Sequence, residues 1–463
     1  MARAKSGYTL ALADFVANLR YEDLPQHVKD AVTLHFLDAI GIALGAYATS
    51  HPLVKTLVTF GLEQKGKAEA TIVGAGVKVS ALEAAFINAV LTNFLDYSDG
   101  HFMGGHINDR LVPVALAAGE VTEASGREVI TALAAGYEAY IDLAYTLFAQ
   151  SESAELRLPY FVLLGPVAAT LTAGKLLGLK REELAGAVGL AASYQLGASQ
   201  YVVTGGHEKD LSPGHEARRG LLATFFAERG VLGSPDVLEG DHGVAKAMGI
   251  GSLGRPAVGS TWRIEECYFK PYPACRYLHA SIEAALHLVQ TYKFPPEEIT
   301  QVLVLTNSSS ARRVSYEIKS HVNAIFSHAY QVAAVLRYER VDLPTTWAQK
   351  LRDPLFVSLM KKVKVQATPE YDKLYQQRSL TQPPWPAEVH VFLRSRGEKY
   401  SAQVLSPKGD PINPLSLEEL RTKFLNLAKT ALTEYTANKL LENIEHLEDI
   451  TNIKSLTALV QAK

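Results

Sequence analysis

The sequence predicts a mostly α protein: a large all-helical domain joined to a smaller α+β module. Three observations carry this. From residue 10 to about 250, apolar residues recur at helical spacing in one segment after another. After Trp262 the texture changes, and short alternating β-branched runs appear between helical stretches. Beyond Pro411-Ile412-Asn413-Pro414 the helical texture returns.

Residues 27–46 place Val28, Ala31, Val32, Phe36, Ala39 and Ile40 on one stripe. Asp38 lies three residues after His35, so the two can pair on one face, a satisfied polar pair inside a bundle being the plain reading. Residues 81–95 are apolar almost throughout. Residues 111–120 are alanine-rich and expected to be helical once past Pro113. Residues 129–150, 165–179, 181–195 and 216–229 continue the pattern, with frequent Ala and Gly that permit close helix approach. In the second module, 300–307 (TQVLVLTN), 363–366 and 388–393 alternate like strands. Residues 400–405 follow a Ser395-Arg396-Gly397 turn and complete a hairpin. Residues 281–292 and 327–337 are expected helices. Ser416, with Glu419 three residues on, opens the last helical stretch as a capping box. The expected organisation is a helical domain over 1–265, completed by 411–463 packing back on it, and an α+β module over 266–410.

A chain of 463 residues is too long for one ordinary core. It is 48% hydrophobic and 20% charged, with net charge -2 and pI near 6.7. That balance makes no case for binding nucleic acid or an anionic membrane surface. Residues 1–8 start basic but lack an apolar core, so no signal peptide is expected. Apolar stretches such as 185–198 fall short of the ~18–20 residues a membrane span needs. A cytoplasmic location is therefore expected. Cys267 and Cys275 are the only cysteines, too few for an iron–sulfur cluster. Gly74-Ala75-Gly76 is an incomplete dinucleotide fingerprint, and no P-loop or nucleophile elbow occurs.

Four segments carry candidate chemistry. The first runs from Asp96 to His106 and holds two carboxylates, two histidines and three glycines after an apolar helix. Moving a proton on a small acid needs a base, an acid and backbone that lets substrate approach. Burial at the end of an apolar helix would raise the pKa of Asp96 and strengthen it as a base, while a nearby lysine would lower it again. His106, after a Gly-Gly turn, can reach a substrate. The plain alternative is a helix cap and a loop histidine. Asp96, Asp99, His101 and His106 lack the register of a zinc motif, so no metal is expected there. The second segment, 205–215, sets Lys209 near a helix N-terminus, suited to a carboxylate, or else exposed in a loop. The third, 269–279, carries Lys270, Arg276 and His279 on a proline-stiffened stretch at the module boundary; a basic linker is the alternative. Cys275 reads as a small buried thiol more readily than as a nucleophile. In the fourth, Tyr330 precedes an apolar run and is either a general acid or core packing.

These four segments stand in the order and spacing of the MmgE/PrpD family, which the chain resembles nearly end to end. Leu37-Asp38-Ala39-Ile40-Gly41, Gly165-Pro166 with Lys175-Leu176-Leu177-Gly178-Leu179, and Gly409-Asp410-Pro411-Ile412-Asn413-Pro414-Leu415-Ser416 extend the likeness. Members dehydrate 2-methylcitrate, decarboxylate cis-aconitate or epimerise iminodisuccinate. The resemblance implies a helical domain with an α+β lid, a homodimer, no cofactor, and an active site between the domains that takes a small carboxylic acid. It places family residues on Asp96, His106, Lys209, Lys270 and Tyr330. The chain departs from the family pattern at Ser98, Gly100, Pro159, Ser212 and Cys275, and His101 is a candidate to replace lost donors.

The implied chemistry is proton transfer at carbon next to a carboxylate. Lys209 and Lys270 would stabilise the enediolate-like anion. Asp96 or His106 would exchange the proton, and Tyr330 would assist the leaving group or hold a carboxylate. Gly100, His101, Cys275, Arg276 and His279 are expected around the substrate. The favoured activity is a lyase, by dehydration; decarboxylation and epimerisation are the alternatives, and a non-catalytic dimeric binding protein is the third reading.

Overall fold

The computed structural model describes residues 7–64, 66–148, 158–193, 199–379, 385–394 and 399–463. The protein is mostly α, with two hydrophobic cores. The larger core runs from Tyr8 to Cys267 and takes in Phe424 to Val460 from the C-terminal segment.

Gln26–Ala48 is the central helix of the larger core. It is long and apolar enough to cross a membrane, but it is mostly buried in the protein, packed against Ala81–Phe94 and Leu417–Ala431. Gly41 and Gly45, one helical turn apart, open the groove that receives the C-terminal helix. A Cβ at Gly41 would stand 2.9 Å from the Phe424 ring, and one at Gly45 2.6 Å from Leu427. That close approach seats Lys423 2.7 Å from Asp38. Asp38 also accepts from Asn108 Nδ2 at 3.2 Å. His35 pairs with Asp99 at 2.6 Å, not with Asp38. The expected pair along one helix face is thus replaced by partners from across the core, because each buried group needs its own hydrogen bond or counter-charge.

Two helices begin earlier than their sequence suggests. Asn108–Thr122 includes Pro113, and Glu208–Glu228 includes Pro213. Each proline is the sixth residue of its helix and forfeits one backbone bond. Asp99 helps the first helix begin upstream: its Oδ1 accepts from the amides of Ile107 (3.2 Å) and Asn108 (2.8 Å). Ser212-Pro213-Gly214 therefore lies in the helix, and Lys209 lies within the helix's first turn.

The smaller core spans Ala274 to Leu393. Its sheet has the order Val363–Ala367, Ile299–Thr306, Ala387–Leu393, Lys399–Val404. The first pair is parallel and the others antiparallel, with Val304 opposite Val365 and Val389. Helices His279–Tyr292 and His328–Tyr338 pack together against this sheet. The hairpin strands pair as expected; their Ser395-Arg396-Gly397 turn lies outside the described residues.

Candidate active site

Three segments meet at Asp96. It follows helix Ala81–Phe94 in a left-handed conformation (φ 51°), its amide bonded to Asn93 O at 2.8 Å. Aspartate tolerates this region better than most residues, and the turn ends the helix. Lys209, from helix Glu208–Glu228, sets its Nζ 2.8 Å from Asp96 Oδ1 and donates to Asn93 O at 3.3 Å. Lys270, from the segment joining the two cores, sets its Nζ 3.3 Å from Asp96 Oδ2 and donates to Asp96 O at 2.8 Å. Tyr97 reinforces the junction by donating to Pro271 O at 2.9 Å. All three charged side chains are buried.

At Asp96 the two opposed effects, burial and nearby lysines, meet. Burial pushes the Asp96 carboxyl up, but Lys209 and Lys270 outweigh it and hold the group well below the usual carboxylate range. Asp96 is thereby held as an anion between the two ammoniums. Lys270 is pushed down by burial, only partly offset by Asp96, so its ammonium is more acidic than an ordinary lysine. Lys209 feels the same burial but is held up by Asp96 and Asp210.

His106 completes the cluster. Its Nε2 lies 3.6 Å from Asp96 Oδ1, and its side chain is 25% exposed. Nδ1 meets Ser98 Oγ at 2.8 Å. Burial and the Lys270 charge push the imidazole down to about 3, so it is neutral near pH 7. If Nδ1 donates to Ser98, Nε2 keeps a lone pair on the Asp96 side. Ser98, standing where the family loop has an aspartate, orients the ring without charging it.

The loop's other polar groups are occupied. Asp99 accepts from Tyr137 at 2.6 Å besides capping and pairing with His35. His101 is buried, with Nε2 3.1 Å from Glu266 and Nδ1 accepting from Met103 N at 3.2 Å. It therefore has no ring nitrogen left to replace a lost substrate donor. Gly100 and Gly105 serve the loop's own backbone. Gly100 pairs with Tyr268 through both backbone groups (3.2 and 2.8 Å), and Gly105 takes φ 74° to close the His101–Gly105 loop. A Cβ at Gly100 would stand 2.5 Å from the Tyr268 hydroxyl and 2.7 Å from Gly105 O. Restoring the family threonine, Gly100→Thr, is expected to destabilise the fold by about 1–3 kcal/mol through overpacking. A urea titration checks this, and an unchanged midpoint would mean that Tyr268 swings clear.

The remaining candidates divide. Cys275 is buried beside the cluster; burial raises its thiol, with Arg313 and Lys270 on one side of the balance and Asp96 on the other. Arg276 is ion-paired with Asp410, donates to Lys408 O (3.0 Å) and Pro407 O (3.2 Å), and lies over Tyr268. His279 uses one ring nitrogen on Arg276 and the other on Ala274 O, both at 3.0 Å. These two pin the joining segment to the 407–410 loop, and of the Arg276 donors only the buried Nε has no hydrogen-bond partner. Tyr330 is not brought into the cluster. Its ring sits edge-on to Phe356 at 5.2 Å, and its charged neighbour is Asp342. Its spacing along the chain matched the family, but its helix turns the hydroxyl into the smaller core. Ser212, on the next turn of the Lys209 helix, donates to Glu216 at 2.8 Å.

Two residues were missed. Tyr201 is close enough to Lys209, Cys275 and Asp96 for their charges to act on its hydroxyl. Arg313 lies over the Tyr277 ring at 3.6 Å and beside Cys275, with a buried Nε that has no hydrogen-bond partner. Neither has a signal in the sequence beyond an aromatic before Gly205-Gly206 and an arginine pair.

Fold and site together define a mostly α protein with a buried, net-positive Lys–Asp–Lys cluster and a neutral histidine at the junction of two cores. The MmgE/PrpD N-terminal domain matches residues 10–254 and the MmgE/PrpD C-terminal domain residues 272–449. The chain belongs to the MmgE/PrpD family. It is 26% identical to cis-aconitate decarboxylase of Aspergillus terreus, over 99% of this chain and 97% of that one. Mouse cis-aconitate decarboxylase is 24% identical over 98% of this chain and 93% of its own. The 2-methylcitrate dehydratase of Cupriavidus necator is 26% identical over 60% of this chain and 59% of its own. These relatives are lyases.

Proposed function

We propose that this chain is a cofactor-independent lyase that removes water from a small hydroxy-polycarboxylate through an anion at the carbon next to a carboxylate. The neutral His106 beside the Lys209–Asp96–Lys270 cluster carries this reading. A dehydration needs a base that is unprotonated at neutral pH, an electrostatic sink and an acid for the leaving hydroxyl. His106 Nε2 takes the proton from carbon. The electron pair passes into the adjacent carboxylate, giving an enediolate beside the two ammoniums. Each lysine places two contacts on Asp96 and its neighbours, leaving one N–H for substrate. The carbon–oxygen bond then breaks, and hydroxide leaves as water with a proton from the acidified Lys270. The proton on His106 returns to Lys270 through solvent. Arg313, with its unpartnered Nε, is the candidate anchor for a further carboxylate.

Decarboxylation is the second reading, favoured by the near end-to-end likeness to proteins named cis-aconitate decarboxylase. Loss of CO2 reaches the same kind of anion without a base, and Lys270 would then protonate carbon. Proton NMR in D2O with 2-methylcitrate, citrate, cis-aconitate and iminodisuccinate separates the cases. Deuterium next to a carboxylate, with loss of water, is the expected result. Release of CO2 selects decarboxylation, and exchange with inversion alone selects an epimerase. Absence of exchange and turnover with all four would overturn the proposal for these acids.

A further inference from the structure

A second cluster stands one residue from Lys209 but faces away from Asp96 in its bonding. His207 and Asp210 open helix Glu208–Glu228, and His321 begins helix His321–Ile325 of the smaller core. His207 Nδ1 and His321 Nε2 each lie 3.0 Å from the same oxygen, Asp210 Oδ2. All three groups offer ligand atoms within 4.8 Å of one another. Asp210 and His321 are buried. Asp210 Oδ1 is also buried and has no hydrogen-bond partner. His321 Nε2, despite its distance to Oδ2, lies off the geometry of a hydrogen bond. A purely hydrogen-bonded arrangement would align the imidazole with its acceptor and use both carboxylate oxygens. This one leaves a buried nitrogen and a buried oxygen unsatisfied in the same small space.

A metal ion would use those atoms. Bonds of about 2.0–2.1 Å to zinc in a tetrahedral site put ligand atoms roughly 3.3 Å apart, near the 3.0 Å that separates each imidazole nitrogen from Asp210 Oδ2. Two imidazoles with one carboxylate suit zinc-class ions and not magnesium or calcium, which prefer all-oxygen shells. His207 is half exposed, which gives an ion a route from solvent. His51 and Phe94 wall the other side, their rings 5.2 and 4.7 Å from His321. His51 Nδ1 accepts from Leu53 N, so its neutral ring carries the proton on Nε2 and does not ligate.

We propose that His207, Asp210 and His321 form a binding site for a divalent transition-metal ion of the zinc class, which ties the smaller core to the helical body. The same seam already carries a hydrogen bond from Ser320 Oγ to Gly205 O (2.9 Å). The ion adds a cross-link between segments more than a hundred residues apart. This site is independent of the lyase reading.

The test is isothermal titration of chelator-stripped full-length protein with zinc chloride, with metal content measured after desalting. One zinc per chain is expected, with a raised melting temperature that chelator reverses. His207→Ala is the decisive variant because its side chain is half exposed and its loss leaves the core packed. It should lose the tight binding and the thermal shift while keeping the wild-type circular dichroism spectrum. His321→Ala should do the same, and magnesium should not bind in either protein. Cobalt should give visible absorption bands in the wild type that His207→Ala lacks. No zinc uptake by the wild type, or equal uptake by wild type and His207→Ala, overturns the proposal.

Discussion

Asp96→Ala is expected to cost the fold about 3–5 kcal/mol, the penalty of leaving buried charges uncompensated. Lys209 and Lys270 are both buried, and both set their Nζ against this one carboxylate. Without it, two like charges face each other in a water-poor junction, and burial, which already lowers Lys270, acts unopposed. Urea denaturation of the full chain reads the loss. The double variant Asp96→Ala with Lys270→Met should recover part of it, because one of the stranded ammoniums is gone. A single variant as stable as the wild type would show that the lysines escape to solvent, and the cluster would lose its standing as a buried site. Activity should be lost together with the stability, since the lysines are no longer held in place.

His106→Ala is expected to lower turnover about 10²–10⁴-fold, the usual contribution of a positioned acid or base. Stability should change little, because the side chain is partly exposed and its contact with Asp96 is longer than a hydrogen bond. The sign of the pH dependence follows from the same group. With its pKa pushed down to about 3, the base is already unprotonated well below neutrality. Its titration should leave kcat/KM flat across roughly pH 5–8, unlike an ordinary histidine, which titrates within that range. Turnover within a few-fold of wild type would remove His106 from the mechanism. A limb with a midpoint inside that range that vanishes in His106→Ala would mean the ring is charged more easily than its surroundings imply.

Much of the architecture is legible along the chain. Helical stripes such as Val28 to Ile40 and alternating runs such as Val302 and Val304 with Thr306 are local patterns, and local patterns specify helices and strands. The order of the four polar segments marks the family, whose N- and C-terminal domains match both parts of the chain. The sequence also supplies Asp96, His106, Lys209 and Lys270 as members of one site, and the structure brings them together. The helix starts at Asn108 and Glu208 were less legible, because a carboxylate from another segment caps one and a proline near a helix start is cheap to accommodate.

How each member is paired and charged was decided only by the tertiary structure. Periodicity cannot say that residues 209 and 270 both arrive within 3.3 Å of residue 96, and that arrival decides which of the two effects on its carboxyl prevails. It cannot say that Arg276 is taken by Asp410, that His101 is taken by Glu266, or that the Tyr330 ring packs on Phe356. Nor could it bring His321 to His207 and Asp210. Secondary structure follows from neighbours along the chain. Protonation, pairing and ligand geometry follow from distances of a few ångströms between segments far apart in sequence, in surroundings where water no longer screens them.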